Sequence, residues 1–166
     1  MEKARFGERE IGEGEAGLNG IFASSRFPFS LASLAALVSL IGLGDAIYLT
    51  INHFTGEPVP CSIVSGCETV LTSEYATIAG IPLAALGAMA YFAAFSLATL
   101  SAFGNLKTWF LFGVQIILMA LFSLWLLYLQ AFEIGAFCQF CLLSAGVTFT
   151  LLIIALVSKF WRFRRG

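Results

Sequence analysis

The stretch CQFCLLSAGVTFTLLIIALVSKF, Cys138–Phe160, carries no charge before Lys159. A helix that crosses the hydrocarbon core of a bilayer needs about 20 apolar residues, and this stretch supplies them. Three more do the same, from about Phe29 to Ile51, Ile81 to Phe103 and Thr108 to Phe132. The rest of the composition agrees. Of 166 residues, 59% are hydrophobic and 11% charged, with mean hydropathy +0.91. Soluble domains run at roughly 45–50% apolar and about 25% charged. Between Phe27 and Ser158 the only charged residues are Asp45, Glu57, Glu68, Glu74, Lys107 and Glu133. This excludes an ordinary soluble fold, a disordered chain and a nucleic-acid binder. The expectation is an all-α integral membrane protein. A four-transmembrane-helix bundle (helices about 29–51, 81–103, 108–132 and 138–160) lies between a polar N-terminal tail, 1–28, and a basic tail, 161–166. The N-terminal tail is long and acidic, and the apolar stretch after it is too long for a signal peptide.

The basic residues set the orientation. Lys3, Arg5, Arg9 and Arg26 precede the first helix, Lys107 lies in the short link between the second and third, and Lys159, Arg162, Arg164 and Arg165 follow the fourth. Short loops rich in Lys and Arg stay in the cytoplasm. Both termini are therefore expected in the cytoplasm of a multi-pass plasma (inner) membrane protein. The loop 52–80 and the link 133–137 face outward. Within that loop Val70, Leu71, Tyr75 and Ile78 fall on one helical stripe. This predicts a short amphipathic helix over Glu68–Thr77, lying across the mouth of the bundle. Gly80-Ile81-Pro82 starts the second helix, because proline in a first turn loses no hydrogen bond.

All four cysteines map to the outward side, which is oxidising in bacteria and in the secretory lumen. Cys61 and Cys67 form a C-x5-C pair in the long loop, and Cys138 and Cys141 form a C-x-x-C pair where the fourth helix begins. Backbone N–H groups at a helix start are unpaired and the dipole there is positive. A thiolate at that place is stabilised, and the thiolate is the attacking species in disulfide exchange. The position therefore points to redox chemistry. Two other readings compete. Structural disulfides on a non-enzymatic four-helix scaffold would staple the loop, yet a C-x-x-C bridge closes a small, strained ring and such bridges are the labile ones. Four thiolates can hold zinc, but a zinc site at a membrane surface has no evident purpose, so no metal is expected. A transporter is disfavoured because Asp45 is the only acid inside a span, and coupled pumps use more than one. Asp45 is a candidate functional acid or a strut to the loop backbone. His53, at the membrane interface, reads as a polar anchor. Gly42, Gly44, Ala84, Gly87 and Ala88 read as small residues that let helices approach.

Three ordered features, GDAIYLTINHF, CSIVSGCETVLTSEYATIAGIPLAALGAMAY and FCQFCLLS, resemble the vitamin K epoxide reductase family in its bacterial or archaeal branch. The likeness covers about residues 30–160. It includes a serine six residues beyond the second loop cysteine and a G-I-P-x-x-x-x-G start to the second helix. The DsbB family is also a four-helix quinone-linked disulfide oxidase, but it carries C-x-x-C in the first outward loop. The resemblance implies a disulfide-forming thiol–quinone oxidoreductase. Cys138 and Cys141 match the active-site pair, with Cys141 facing the quinone and bonding to it transiently. Cys67 exchanges with Cys138, and Cys61 with the disulfide centre of a thioredoxin-like (DsbA-like) partner. Ser73 matches the loop residue that binds a quinone carbonyl. Asp45 is carried with it as a quinone-side candidate. Two departures from the vertebrate pattern, Ala145 for a tyrosine and Leu83 for an asparagine, favour a ubiquinone- or menaquinone-type substrate over an epoxide. Some members carry a fused thioredoxin-like domain after the fourth helix; with the chain ending at Gly166, a separate partner protein is expected.

Overall fold

The computed structural model describes residues 30–61, 66–103 and 106–165. The polar tail 1–28 and the centre of the C-x5-C segment lie outside them. Helix α1 spans Ser30–Thr55. The outward loop follows, with a short helix α2, Cys67–Leu71, a 3₁₀ turn, Glu74–Ala76, and a two-residue hairpin pairing Thr77–Ile78 (β1) with Ile81–Pro82 (β2). Helix α3 spans Leu83–Ala102 and α4 spans Leu106–Tyr128, continuing through a π-helical segment, Leu129–Ile134. Helix α5 spans Gln139–Arg165. Four of these helices, α1, α3, α4 and α5, are long and apolar enough to cross a membrane. The protein is a multi-pass membrane protein built as an all-α bundle.

The spans differ from the expected ones at their ends. The first helix runs four residues further, to Thr55, where Thr55 Oγ1 donates to Asn52 O at 3.4 Å. The fourth runs through 161–165, so the basic tail continues the helix. Pro82 caps α3 with φ −63° and stands one position before the first turn. The expected single loop helix over 68–77 is broken in two. Thr72 Oγ1 donates to Glu68 O at 2.7 Å and Ser73 Oγ donates to Val70 O at 2.7 Å. Ser and Thr side chains that take up nearby carbonyls compete with helix continuation, and α2 stops there.

In lipid the helices gain little from burying apolar surface, since the tails are as apolar as leucine. Large side chains such as Leu37, Phe110, Leu121 and Ile153 accordingly point outward. Packing and interhelical hydrogen bonds hold the bundle instead. Such bonds average about 0.6 kcal/mol each in membranes, so several are needed. The Tyr91 hydroxyl on α3 meets Ser144 O at 2.7 Å, Ser144 Oγ at 2.9 Å and Thr148 Oγ1 at 2.8 Å on α5. Gln115 Nε2 donates from α4 to Ala90 O on α3 at 2.7 Å. Trp109 Nε1 donates to Ser158 Oγ at 2.9 Å, tying the start of α4 to the end of α5. Other hydroxyls, such as Ser39 and Thr50, donate to carbonyls four residues back in their own helix, which satisfies those donors within the span.

The small residues divide. Gly42 lies under the Tyr91 ring, and a Cβ there would sit 2.6 Å from Cζ. Gly87 gives an ordinary contact with Ala46. Gly44 faces open space and closes no helix pair. One apolar core joins α1, α3, α4 and α5 through residues such as Ala35, Ala94, Phe112, Ile116 and Leu151. A second, separate core lies at the end that carries the cysteines.

Candidate active site

That second core contains buried Cys67, Val70 and Cys138, with Cys61, Cys141 and Phe140 packed against them. The antiparallel run of the spans brings it about. The end of α1, the start of α3, the end of α4 and the start of α5 meet at one end of the bundle, and the loop folds over them. Cys61 and Cys67 are joined as a disulfide, with Cα atoms 6.1 Å apart, while Cys138 and Cys141 are free thiols.

Gly66 is what lets the loop disulfide reach the C-x-x-C segment. A Cβ on Gly66 would lie 2.7 Å from Phe137 O and 3.0 Å from Phe137 N. The backbone just before Cys67 thus rests on the backbone just before Cys138. A second tie joins the loop at Cys61 to the same helix start, through Gln139 Nε2 donating to Pro60 O at 3.4 Å.

Cys138 sits at the N-cap of α5, where its carbonyl accepts from Leu142 N at 3.0 Å. An N-cap side chain receives the free N–H groups of the first turn. The Cys138 thiol is drawn down to about 7, chiefly by a hydrogen bond from the Cys141 side chain, with the backbone N–H groups of Cys141 and Phe140 adding to it and burial opposing. The thiolate form of Cys138 is thereby favoured, and its share falls as the pH drops. The first-turn donors thus act on Cys138, at the helix boundary, while Cys141 lies within the first turn. The Cys138 N–H itself donates to Gln130 Oε1 at 3.1 Å. Gln130 is buried on the π-helical end of α4. The sequence reading passed over it, although an amide in an apolar span eight residues before the C-x-x-C was a visible signal.

Below the cysteines lies a cavity of about 630 Å³ between α1, α3, α4, α5 and the loop. Its lining is mostly apolar, from residues such as Leu86, Leu118 and Phe122, with Asp45, His53, Ser73, Gln115, Gln130 and Cys141 among its polar groups. Of the four cysteines, Cys141 alone lines it. Ser73 borders it, but its O–H is already engaged with Val70 O. Asp45 Oδ2 is buried with no hydrogen-bond partner among the described residues, so this oxygen braces no loop backbone. His53 is exposed at the rim, its ring edge-on to Phe54 with centroids 5.9 Å apart. Leu83 and Ala145, the two departures from the vertebrate pattern, both line the cavity. Tyr91 and Gln115, also unforeseen, line it as well.

The vitamin K epoxide reductase family matches residues 33–156, which takes in all four cysteines and most of each span. The chain belongs to that family. Among curated proteins it is similar to the thiol-disulfide oxidoreductase LTO1 of Arabidopsis thaliana, at 33% identity over 121 residues. That alignment covers 67% of this chain and 32% of the relative, so the chain spans about a third of that relative's length. The resemblance drawn from the cysteine loop, the G-I-P start of α3 and the C-x-x-C is thus borne out at the level of family and architecture.

Proposed function

We propose that this family member is a membrane thiol–quinone oxidoreductase that makes disulfides. Electrons enter at the Cys61/Cys67 pair from a reduced thioredoxin-like (DsbA-like) protein, pass to Cys138/Cys141, and leave to a quinone in the cavity. One observation carries the reading: the loop disulfide packs against the C-x-x-C pair, and Cys141 alone of the cysteines lines the apolar cavity. The relative's printed name, a thiol-disulfide oxidoreductase, agrees with it.

The lining fits a quinone, whose ring and tail are apolar and whose two oxygens need polar partners. A bound quinone supplies a two-electron, two-proton sink. The protein's own residues do the rest. Cys67, once reduced, attacks Cys138 of the Cys138–Cys141 bridge and frees Cys141 as a thiolate. Cys61 then closes on Cys67, which leaves the lower pair as a dithiol and the loop pair as a disulfide. The pairing Cys61–Cys67, with Cys138 and Cys141 as free thiols and Cys141 on the cavity, agrees with this reading. Cys141 delivers the electron pair into the cavity and Cys138 closes the bridge behind it. Asp45, with an unpartnered buried oxygen on the same cavity, serves as a quinone-side polar group. Ser73 reaches a ring oxygen by turning its hydroxyl away from Val70 O.

The cysteine end faces outward and both termini lie in the cytoplasm of a plasma (inner) membrane. Lys107 and Lys159 lie at the opposite end from the cysteines, as the positive-inside rule requires. A cysteine introduced at Glu57 is expected to react with an impermeant thiol reagent in intact cells, and one at Lys107 to resist it; labelling at Lys107 would invert the orientation. For the activity, the purified protein with excess dithiothreitol and a short-chain quinone is expected to form quinol catalytically. No quinol above the uncatalysed rate, with ubiquinone and menaquinone analogues alike, would leave a four-helix scaffold with a structural disulfide.

A further inference from the structure

The Tyr91 side chain crosses the bundle from α1 to α5. Its ring lies against Gly42, and its hydroxyl meets Ser144 O at 2.7 Å. One turn further toward the cysteine end, α1 carries Asp45, three residues after Gly42, and α5 carries Cys141, three residues before Ser144. Residues three apart share a helix face, and Asp45 and Cys141 both line the cavity. The carboxyl and the thiol therefore flank one space from opposite helices, with Tyr91 as its floor. The other deep polar groups are committed. A carbonyl only accepts, so the single Tyr91 proton goes to Ser144 O. Gln115 Nε2 donates to Ala90 O. His53 and Tyr75 stand exposed at the outer end of the cavity. Asp45 Oδ2 is buried without a hydrogen-bond partner, and among the described residues no Lys or Arg lines the cavity. A lone carboxylate in a dry, apolar place is costly and takes up a proton instead, so Asp45 stands there as a neutral acid.

We infer that Asp45 is the catalytic acid of quinone reduction: its carboxyl proton passes to a quinone oxygen while Cys141 delivers the electron pair from the facing helix. The inference deepens the relay proposed above and rests on it for the acceptor. In that step the Cys138–Cys141 bond forms, the two thiols are oxidised to a disulfide, and the quinone is reduced to a quinol. The electron pair leaves through Cys141 Sγ. The quinol needs two protons, one on each oxygen. Asp45 supplies the first and water at the outer end of the cavity the second, and Asp45 is reloaded from the same water. The two protons shed by the thiols balance those taken up. An acid held at the reacting oxygen spares the build-up of negative charge on it in an apolar site.

Two readouts test it on the full chain. The first needs no quinone. The infrared spectrum of the reduced protein at neutral pH is expected to show a carboxylic-acid C=O band that Asp45→Asn removes; no such band means an ionised Asp45 and overturns the inference. The second is the pH profile of quinol formation in single turnovers with a short-chain quinone. The titratable groups facing Asp45 are Tyr91 on α3, Cys141 on α5, His53 on α1 and Tyr75 in the loop; α4 offers the cavity only amides, Gln115 and Gln130, and a serine hydroxyl, Ser123, as polar groups. The wild-type rate is expected to rise with pH as thiols become thiolates and to fall again as Asp45 loses its proton. Asp45→Asn is expected to slow the reaction about a hundred-fold, the usual size of a lost acid, and to keep the rise without the fall, while the loop pair and the C-x-x-C pair still exchange. Asp45→Glu should restore much of the rate with a displaced fall. A wild-type rate and profile in Asp45→Asn overturns the inference, and so does equal loss of thiol exchange, which would make Asp45 structural. If Asp45→Asn does not accumulate, Asp45→Glu decides, and an unmoved alkaline fall overturns the inference. No quinol from the wild-type protein strikes the acceptor reading itself, whereas normal wild-type turnover with an indifferent Asp45→Asn strikes this inference alone.

Discussion

Cys141→Ala is expected to abolish thiol-driven quinone reduction while leaving the loop pair one round of exchange with a dithiol. The loss should be complete, because no other cysteine sulfur lines the cavity. Cys138 is fully buried in the cluster above it, and a thiol in that place has no route to a ring oxygen or carbon below. Groups that only orient the acceptor should behave differently. Losing one neutral hydrogen bond costs about 0.5–1.5 kcal/mol, so Ser73→Ala should slow quinone use several-fold and not stop it. Quinol formation and single-turnover release of dithiol protons, measured on both variants, separate the two roles. Normal quinone reduction by Cys141→Ala would refute the assignment of Cys141.

The second large effect is a trapped intermediate. In Cys61→Ala the Cys67 thiol has lost the partner that would resolve it from the loop side. When it attacks the Cys138–Cys141 bridge, the product is a Cys67–Cys138 cross-link that only Cys141 can reverse. The attack is short-range, because the backbones at Gly66 and Phe137 are already in contact. Non-reducing mass spectrometry should find Cys67 joined to Cys138 as a major species. Adding Gly66→Ala should deplete it, since the Phe137 backbone cannot yield to a methyl as a flexible side chain would. Finding Cys67 paired only with external thiols would mean that the loop does not reach the active pair.

The four spans were legible because membrane helices must be long, apolar and internally hydrogen-bonded, and those constraints are written residue by residue. The meeting of the cysteines was legible for a related reason: once topology follows from Lys and Arg placement, Cys61, Cys67, Cys138 and Cys141 can only fall on one side. What escaped the sequence lies in specific contacts. The period of Val70, Leu71, Tyr75 and Ile78 suggested one helix over 68–77, but Thr72 and Ser73 turn their hydroxyls onto the preceding turn and end it. Gly42, Gly44 and Gly87 read alike in sequence, yet only Gly42 has an aromatic ring against it. Gln130 stands out in sequence only as an amide in an apolar span; its contact with Cys138 depends on a π-helical turn and on the start of the next helix. The exposed loop acids Glu57, Glu68, Glu74 and Glu133 enter no step proposed for the pairs.

The central claim is that the loop pair discharges through the C-x-x-C pair into the cavity. Single-turnover mixing tests it most directly. The wild-type protein, with all four cysteines reduced and free reductant removed, is mixed with excess quinone, and quinol is counted per chain. Two disulfides form from four thiols, so the account predicts two quinols per chain, and one when Cys61 and Cys67 are both replaced by Ala. A yield of one quinol from the wild-type chain, with Cys61 and Cys67 still recovered as thiols, would contradict it.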